Sequence, residues 1–205
     1  MAPPRLTDLS RHIRQDIFHR LRWNTLDALD NIEITTKRHG EEAFEPLFDS
    51  PYANESMAQP PLSHVKVRVA ELLSKQTYDF QYEPPPELSI DNHDDSPITM
   101  KQFVTEVHAY LSKNIDEIKT AKGDLYGEMV TLEDGRTFRQ IVYGRPYLPP
   151  DIGIFFRRIF ACESDGDVKI RVFLYAEGES ARPVDTFWSL RLRDAHTAEQ
   201  ERQGY

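Results

Sequence analysis

Cysteine is nearly absent. Cys162 is the only one, which excludes an internal disulfide and any multi-cysteine metal site. Long apolar runs are missing as well: no stretch approaches the roughly 18 apolar residues that a membrane-spanning helix needs. The start, Met1-Ala2-Pro3-Pro4-Arg5, leads into charged sequence rather than the apolar core of a secretory signal. These absences set the expectation of an intracellular protein, cytoplasmic or nuclear, without a membrane partner. Positive charge is in deficit, with 25 Lys and Arg against 34 Asp and Glu and a formal net charge of −9. Nucleic acids and anionic membranes ordinarily require a basic footprint, so nucleic acid is not the expected partner unless a local basic face overrides the net value. Also missing are a Gly-rich phosphate loop, a nucleophile elbow, a paired-His zinc helix and a kinase signature. No particular reaction has a positive case, and neither a cofactor nor a metal is expected.

What is present is the composition of a globular chain. Of 205 residues, 39% are hydrophobic and 29% charged, with 11 Phe, 9 Tyr and 2 Trp, enough to bury a substantial core. Leu6, Leu9, Ile13, Ile17 and Leu21 recur at spacings of three and four, which predicts an amphipathic helix over 7–23 capped by Thr7 or Asp8. A helical turn over 25–32 and a helix over 63–75, with Val65, Val69, Leu72 and Leu73 inward, follow from the same spacing. Between them, 35–62 carries Pro46, Pro51, Pro60 and Pro61 and scattered anchors at Phe44, Leu47, Phe48 and Tyr52; it reads as a mobile loop or one wrapped on the core. Pro84-Pro85-Pro86 must be extended. With the acidic run that begins at Asp91, it makes 81–98 a linker or surface loop between a helical N-terminal region, 1–80, and a body, 99–193. The two regions are expected to pack as one compact domain, followed by a polar tail, 194–205.

The best-marked helix covers 99–122. Thr99 and Gln102 fit a capping box, or Ser96 caps before Pro97. Met100, Val104, Val107, Leu111, Ile115 and Ile118 form its apolar stripe, and Gly123 suits its end. Strands are expected over 125–132 and 137–143 around Asp134-Gly135, over 152–162 and 168–176 around Ser164-Asp165-Gly166-Asp167, and over 186–193. The fold class that results is α+β: N-terminal amphipathic helices and one long helix packed on a five-stranded, mainly antiparallel meander. In element order alone, helices followed by a curved antiparallel sheet, the chain resembles the NTF2-like cone. That scaffold hosts both binding proteins and small-molecule isomerases or dehydratases. The likeness specifies no residue.

Strand alternation sorts the candidate site residues. In 168–176, Val168, Ile170, Val172 and Leu174 share one face, and Lys169, Arg171, Phe173 and Tyr175 share the other. In 186–193, Trp188, Leu190 and Leu192 oppose Phe187, Ser189, Arg191 and Arg193. Arg157 or Arg158, and Arg139, add to the outward side. Arginine among aromatics is the composition of a protein-binding hot spot, and also of a platform for bases or small anions. A solvated face with its arginines paired to carboxylates, or covered by the N-terminal helices, accounts for the same pattern. The function expected is a non-enzymatic protein-interaction or regulatory module. Its binding surface would be Lys169, Arg171, Phe173, Tyr175, Phe187, Arg191 and Arg193, facing a protein partner or a second copy of the chain. The alternative is a small-molecule enzyme or ligand carrier with a cavity between the sheet and helix 99–122, where His108, Tyr110, Tyr126 and Tyr143 would supply polar groups. Ser164-Asp165-Gly166-Asp167 lacks the ligand series of a calcium loop and reads as a turn. His93 among Asp91, Asp94 and Asp95 reads as solvated linker, and Cys162 as a small buried hydrophobe.

Overall fold

The computed structural model describes residues 9–38, 41–140, 146–179 and 183–204. Among them the chain begins with two single helical turns, α1 (Leu9–His12) and α2 (Gln15–Phe18), and a two-residue strand, β1 (Leu21–Arg22). The continuous helix expected over 7–23 is therefore broken. Arg14 interrupts it with φ −72° and ψ 63°. Its N–H donates to the Met57 carbonyl at 3.0 Å, and its guanidinium holds Asp16 at 2.9 Å and Glu55 at 2.5 Å.

After a 3-10 turn at Leu29–Asn31, which replaces the helical turn expected over 25–32, β2 (Glu33–Arg38) and β3 (Glu41–Pro46) pair antiparallel with each other, and β1 pairs with β2. The proline-interrupted stretch is thus partly strand. It is anchored by buried Leu47, Ala53 and Met57, whereas Phe44 is exposed. β4 (His64–Val69) and α3 (Ala70–Tyr78) follow. They correct the helix expected over 63–75: Val65, Val67 and Val69 alternate inward at period two, and the helix starts only after them. β5 (Leu88–Asp91) lies inside the segment 81–98 that reads as a linker, with Ile90 buried opposite Val65.

The long helix is two helices, α4 (Met100–Lys113) and α5 (Ile115–Tyr126), separated at Asn114. The Thr99 cap is in place, its hydroxyl accepting the Gln102 N–H at 3.1 Å. Gly123 does not end the helix. A Cβ there would stand 3.0 Å from Pro146 Cβ and from the Tyr147 nitrogen, so glycine is required where residues 146–147 cross α5. The reversal falls at Gly127, φ 71°.

Both Asp-Gly turns form hairpins. β6 (Glu128–Thr131) pairs with β7 (Thr137–Gln140) through Gly135, φ 81°, and β8 (Ile154–Ser164) pairs with β9 (Asp167–Ala176) through Asp165 and Gly166, φ 59° and 82°. The fifth strand expected over 186–193 is instead part of α6 (Val184–Gln203), which also takes in most of the expected tail. Phe187, Arg191 and Ala195, four residues apart, are its buried positions.

The class is α+β, but the strands do not form one meander. β6 and β7 stand apart as a two-stranded ribbon. The main sheet runs β5-β4-β9-β8, with β4 parallel to β9. The continuous meander on which the likeness to the NTF2-like cone rested is absent among the described residues. On the inner side of the main sheet, Val65, Val67, Ile170, Val172 and Ile159 join Phe103, Val104, Val107 and Leu111 of α4 in one buried cluster that also takes in Phe18 and Trp23. Trp23 stacks on Phe156 at 5.2 Å, and Phe18 meets Phe103 edge-on at 5.3 Å. The free edge of β8 is closed by the N-terminal segment: Ser10 Oγ donates to the Ala161 carbonyl at 3.0 Å, Gln15 Nε2 to that of Ile159 at 3.1 Å, and the Thr25 N–H to that of Ile154 at 2.8 Å. An unpaired edge is a template for aggregation, and the N-terminal segment covers it.

Candidate interaction face

Register fixes what the outer side of the main sheet presents. Lys66 lies opposite Lys169, and Arg68 opposite Arg171. On the other side of β9, Arg171 lies opposite Phe160, Lys169 opposite Cys162, and Phe173 opposite Arg158. The outward residues of 168–174 are therefore those the alternation indicates, and β4 and β8 add to them.

One end of this face is closed by α6. Tyr175 stacks on Phe187 at 4.3 Å and 12°, and Phe155 meets Trp188 at 5.2 Å. Three residues expected on the outward face are consequently not on it: Tyr175, Phe187 and Arg191 are buried. Arg191 donates to the carbonyls of Phe18 and Phe156, tying α6 to α2 and β8, and burial lowers its guanidinium to about 9. Arg193 is exposed, but on α6 rather than on a strand.

The other end of the face is open. Its cations divide into two groups. At the β8–β9 turn, Lys66 donates to Asp167 at 2.5 Å and Lys169 to Asp165 at 3.1 Å. The hydrogen bond from Lys66 holds the Asp167 carboxyl below its usual range, and the Ser164 hydroxyl followed by Lys169 does the same for Asp165. On β4, Arg68 pairs with Glu87. At the centre, Arg171 and Arg158 are exposed and neither forms an ion pair among the described residues. Arg158 lies over the Phe173 ring at 4.8 Å, and Phe160, opposite Arg171, is 45% exposed. Two guanidiniums without carboxylates, flanked by two phenyl rings, can grip a carboxylate by paired N–H donors and pack its neighbour apolar groups. Cys162 is half-buried on this face, not in the core.

The residues of the alternative cavity do not converge. His108 Nδ1 accepts from Trp23 Nε1 at 3.3 Å, and burial lowers its pKa. Tyr110 Oη donates to the Pro86 carbonyl at 3.0 Å, and Tyr126 Oη to that of Glu177 at 2.8 Å. Tyr143 lies outside the described residues. The space between sheet and α4 is filled by Val107, Leu111 and Phe156. A groove of 340 Å³ lies instead at the C-terminal end of β4, lined by Val69, Leu72, Pro84, Pro85 and Pro86. Of its polar groups, Tyr110 and Arg68 are engaged with Pro86 and Glu87, and Gln76 and Glu87 also line it.

Sequence reasoning missed the buried polar groups. Lys122, at the end of the helix expected over 99–122, is buried and donates to the Leu174 carbonyl at 2.6 Å and to Glu179 at 2.8 Å, with Glu71 at 3.1 Å. Nothing local marks a lysine for burial; its partners Glu71, Leu174 and Glu179 are 51 to 57 residues away in the chain. Among the described residues no three His, Cys, Asp or Glu side chains are grouped to hold a metal ion. No protein-family model, curated protein or solved structure matches this chain.

Proposed function

We propose that this protein is a non-enzymatic interaction module that binds an acidic segment of a protein partner on the open end of the outer sheet face. The observation that supports this reading is the pair Arg158 and Arg171. The chain has an excess of carboxylates, and its other cations on this face are matched to them, yet these two exposed arginines are left to aromatic neighbours. Arginine and aromatic side chains dominate the energetics of protein interfaces, and a planar guanidinium selects carboxylates through bidentate geometry. Paired cations at the margin contribute orientation and rate of encounter more than affinity.

The test is titration of a fluorescent Glu-rich peptide carrying one aromatic residue, with NMR to locate it. Binding should weaken as salt is raised and shift Arg158, Phe160 and Arg171 resonances. Arg171→Glu should weaken it at least about tenfold while leaving the thermal midpoint nearly unchanged, since Arg171 is exposed. Binding that survives both Arg171→Glu and Arg158→Glu, or that maps elsewhere, would remove the proposal.

A further inference from the structure

We infer that the cleft between α6 and the small sheet β1–β2–β3 binds a small zwitterion of the α-amino acid type, its carboxylate held by Arg22 and its ammonium by Asp185 and Glu42. Leu21 and Ile34, paired across β1 and β2, are buried on one side of that sheet. Arg22, Thr35 and Phe44 alternate to the other side, with Thr35 opposite Phe44. There they meet Trp188 and Leu192 of α6 around a cavity of 160 Å³. The Arg22 guanidinium carbon lies 4.2 Å from the centre of the Phe44 ring and 5.4 Å from that of Trp188. These contacts engage the flat surface of the guanidinium and none of its N–H donors. It forms no ion pair and no hydrogen bond among the described residues.

Other groups lining the cleft are left over in the same way. Arg20 spends Nε on the Asp16 carbonyl at 3.1 Å and Nη2 on Glu199 at 2.8 Å, and its Nη1 has no partner among the described residues. His19 Nδ1 is buried without one. The hydroxyl of Thr35, a residue 4% exposed, makes no hydrogen bond there either. Buried polar groups ordinarily have partners, and a carboxylate would supply them to the arginines and the hydroxyl together, in the paired geometry that a guanidinium favours. The mouth of the cleft has the opposite sign. Asp185 and Glu42, both exposed, line it, and Asp185 forms no ion pair among the described residues. Two carboxylates oppose the entry of a bare dianion such as phosphate and attract an ammonium, so a ligand carrying both charges on neighbouring atoms suits the cleft. A cavity of about 150 Å³ accepts a benzene ring, so 160 Å³ leaves room for a short apolar side chain beside Trp188 and Leu192. No residue of this cleft belongs to the pair Arg158 and Arg171, and the inference stands apart from the reading of that face.

NMR of the full chain titrated with glycine, L-alanine and L-valine, each to about 10 mM, tests this. L-Valine should shift the Trp188 indole and Thr35 signals with a midpoint below that limit. 3-Methylbutanoate and L-valinamide, which each lack one of the two charges, should bind at least about tenfold more weakly. Arg22→Met, which keeps an unbranched side chain against Phe44, and Asp185→Asn should each weaken L-valine binding at least about tenfold. Ser189→Trp, at an exposed position lining the cleft, should block it, whereas Arg171→Glu should leave it in place. Circular dichroism of each variant checks that the fold is intact. Failure of all of these amino acids to bind overturns the inference. So does binding of inorganic phosphate or 3-methylbutanoate as tight as that of L-valine, which would make the cleft a site for anions alone, and so does binding indifferent to Arg22→Met or to a folded Ser189→Trp.

Discussion

His19 shows how a single side chain couples this fold to pH. Its ring is packed beside α6, and burial, reinforced by the positive charges of Arg191 and Arg158, draws its pKa down from 6.5 to about 4. In the unfolded chain the imidazole takes a proton as pH falls through about 6.5; in the folded protein it does not until about 4. Between those values the unfolded state binds more protons, so stability declines as pH falls and the whole loss is incurred below about 4. At about pH 5 the loss is about 2 kcal/mol. Urea unfolding near pH 7.5 and pH 5 should show this difference for the wild type, and His19→Gln should show it reduced by that amount. An unchanged pH dependence in His19→Gln would mean that the ring is solvated in the native state. Arg191, its neighbour, is the counterpart at fixed charge: a buried guanidinium retained because it satisfies two carbonyls on separate elements, each of which would otherwise be left without that donor.

Among the elements, α4 owes its start to local chemistry and its end to packing. Thr99 accepts the Gln102 N–H, one of the first-turn donors that have no partner within a helix. Thr99→Ala should therefore cost about 1 kcal/mol, read as a lower urea midpoint at constant slope; a loss under about 0.3 kcal/mol would show that solvent replaces the cap as well as Thr99 does. The Gln102 side chain does not return to close the second half of a capping box. It donates to Asn92 at 2.8 Å and to Glu106 at 3.1 Å, fastening the turn after β5 onto α4. The helix then stops at Asn114 although its apolar stripe continues through Ile118, which remains in the core on α5.

For the whole molecule, the buried cluster spans Ile13 to Ala176 in sequence, and α6 is joined to the N-terminal segment by Arg191, by Arg20 with Glu199 at 2.8 Å and by Arg202 with Asp16 at 3.5 Å. Trp23 reports the core and Trp188 reports α6. Far-ultraviolet circular dichroism and tryptophan fluorescence should consequently follow one coincident unfolding transition. An earlier fluorescence transition, retained in a variant that keeps only Trp188, would show that α6 detaches first. The same long-range ties explain which parts were legible. Where one local device decides conformation, as at Thr99, Asp134-Gly135 and Asp165-Gly166, the reading holds. Where an apolar pattern of eight residues satisfies both periods, it does not. Val65, Val69 and Leu72 fit a helix while Val65, Val67 and Val69 fit a strand, and 186–193 carries the same ambiguity with the opposite outcome.

Half of the candidate site was accordingly visible and half was not. Lys169, Arg171 and Phe173 face outward because a strand alternates, whatever surrounds it. That Tyr175 is capped by Phe187, that Arg191 is buried, and that Arg158 and Phe160 complete the open end depend on α6 folding back and on the register of β8. By itself the amino-acid sequence determined the turns, the cap, the inward face of β9 and the α+β class, all of which follow from interactions within a few residues. The parallel pairing of β4 with β9, about 100 residues apart, the insertion of β5 and the closing of one end of the outer face were decided only by tertiary structure. There the competing local patterns are nearly balanced, and burial against distant partners tips them.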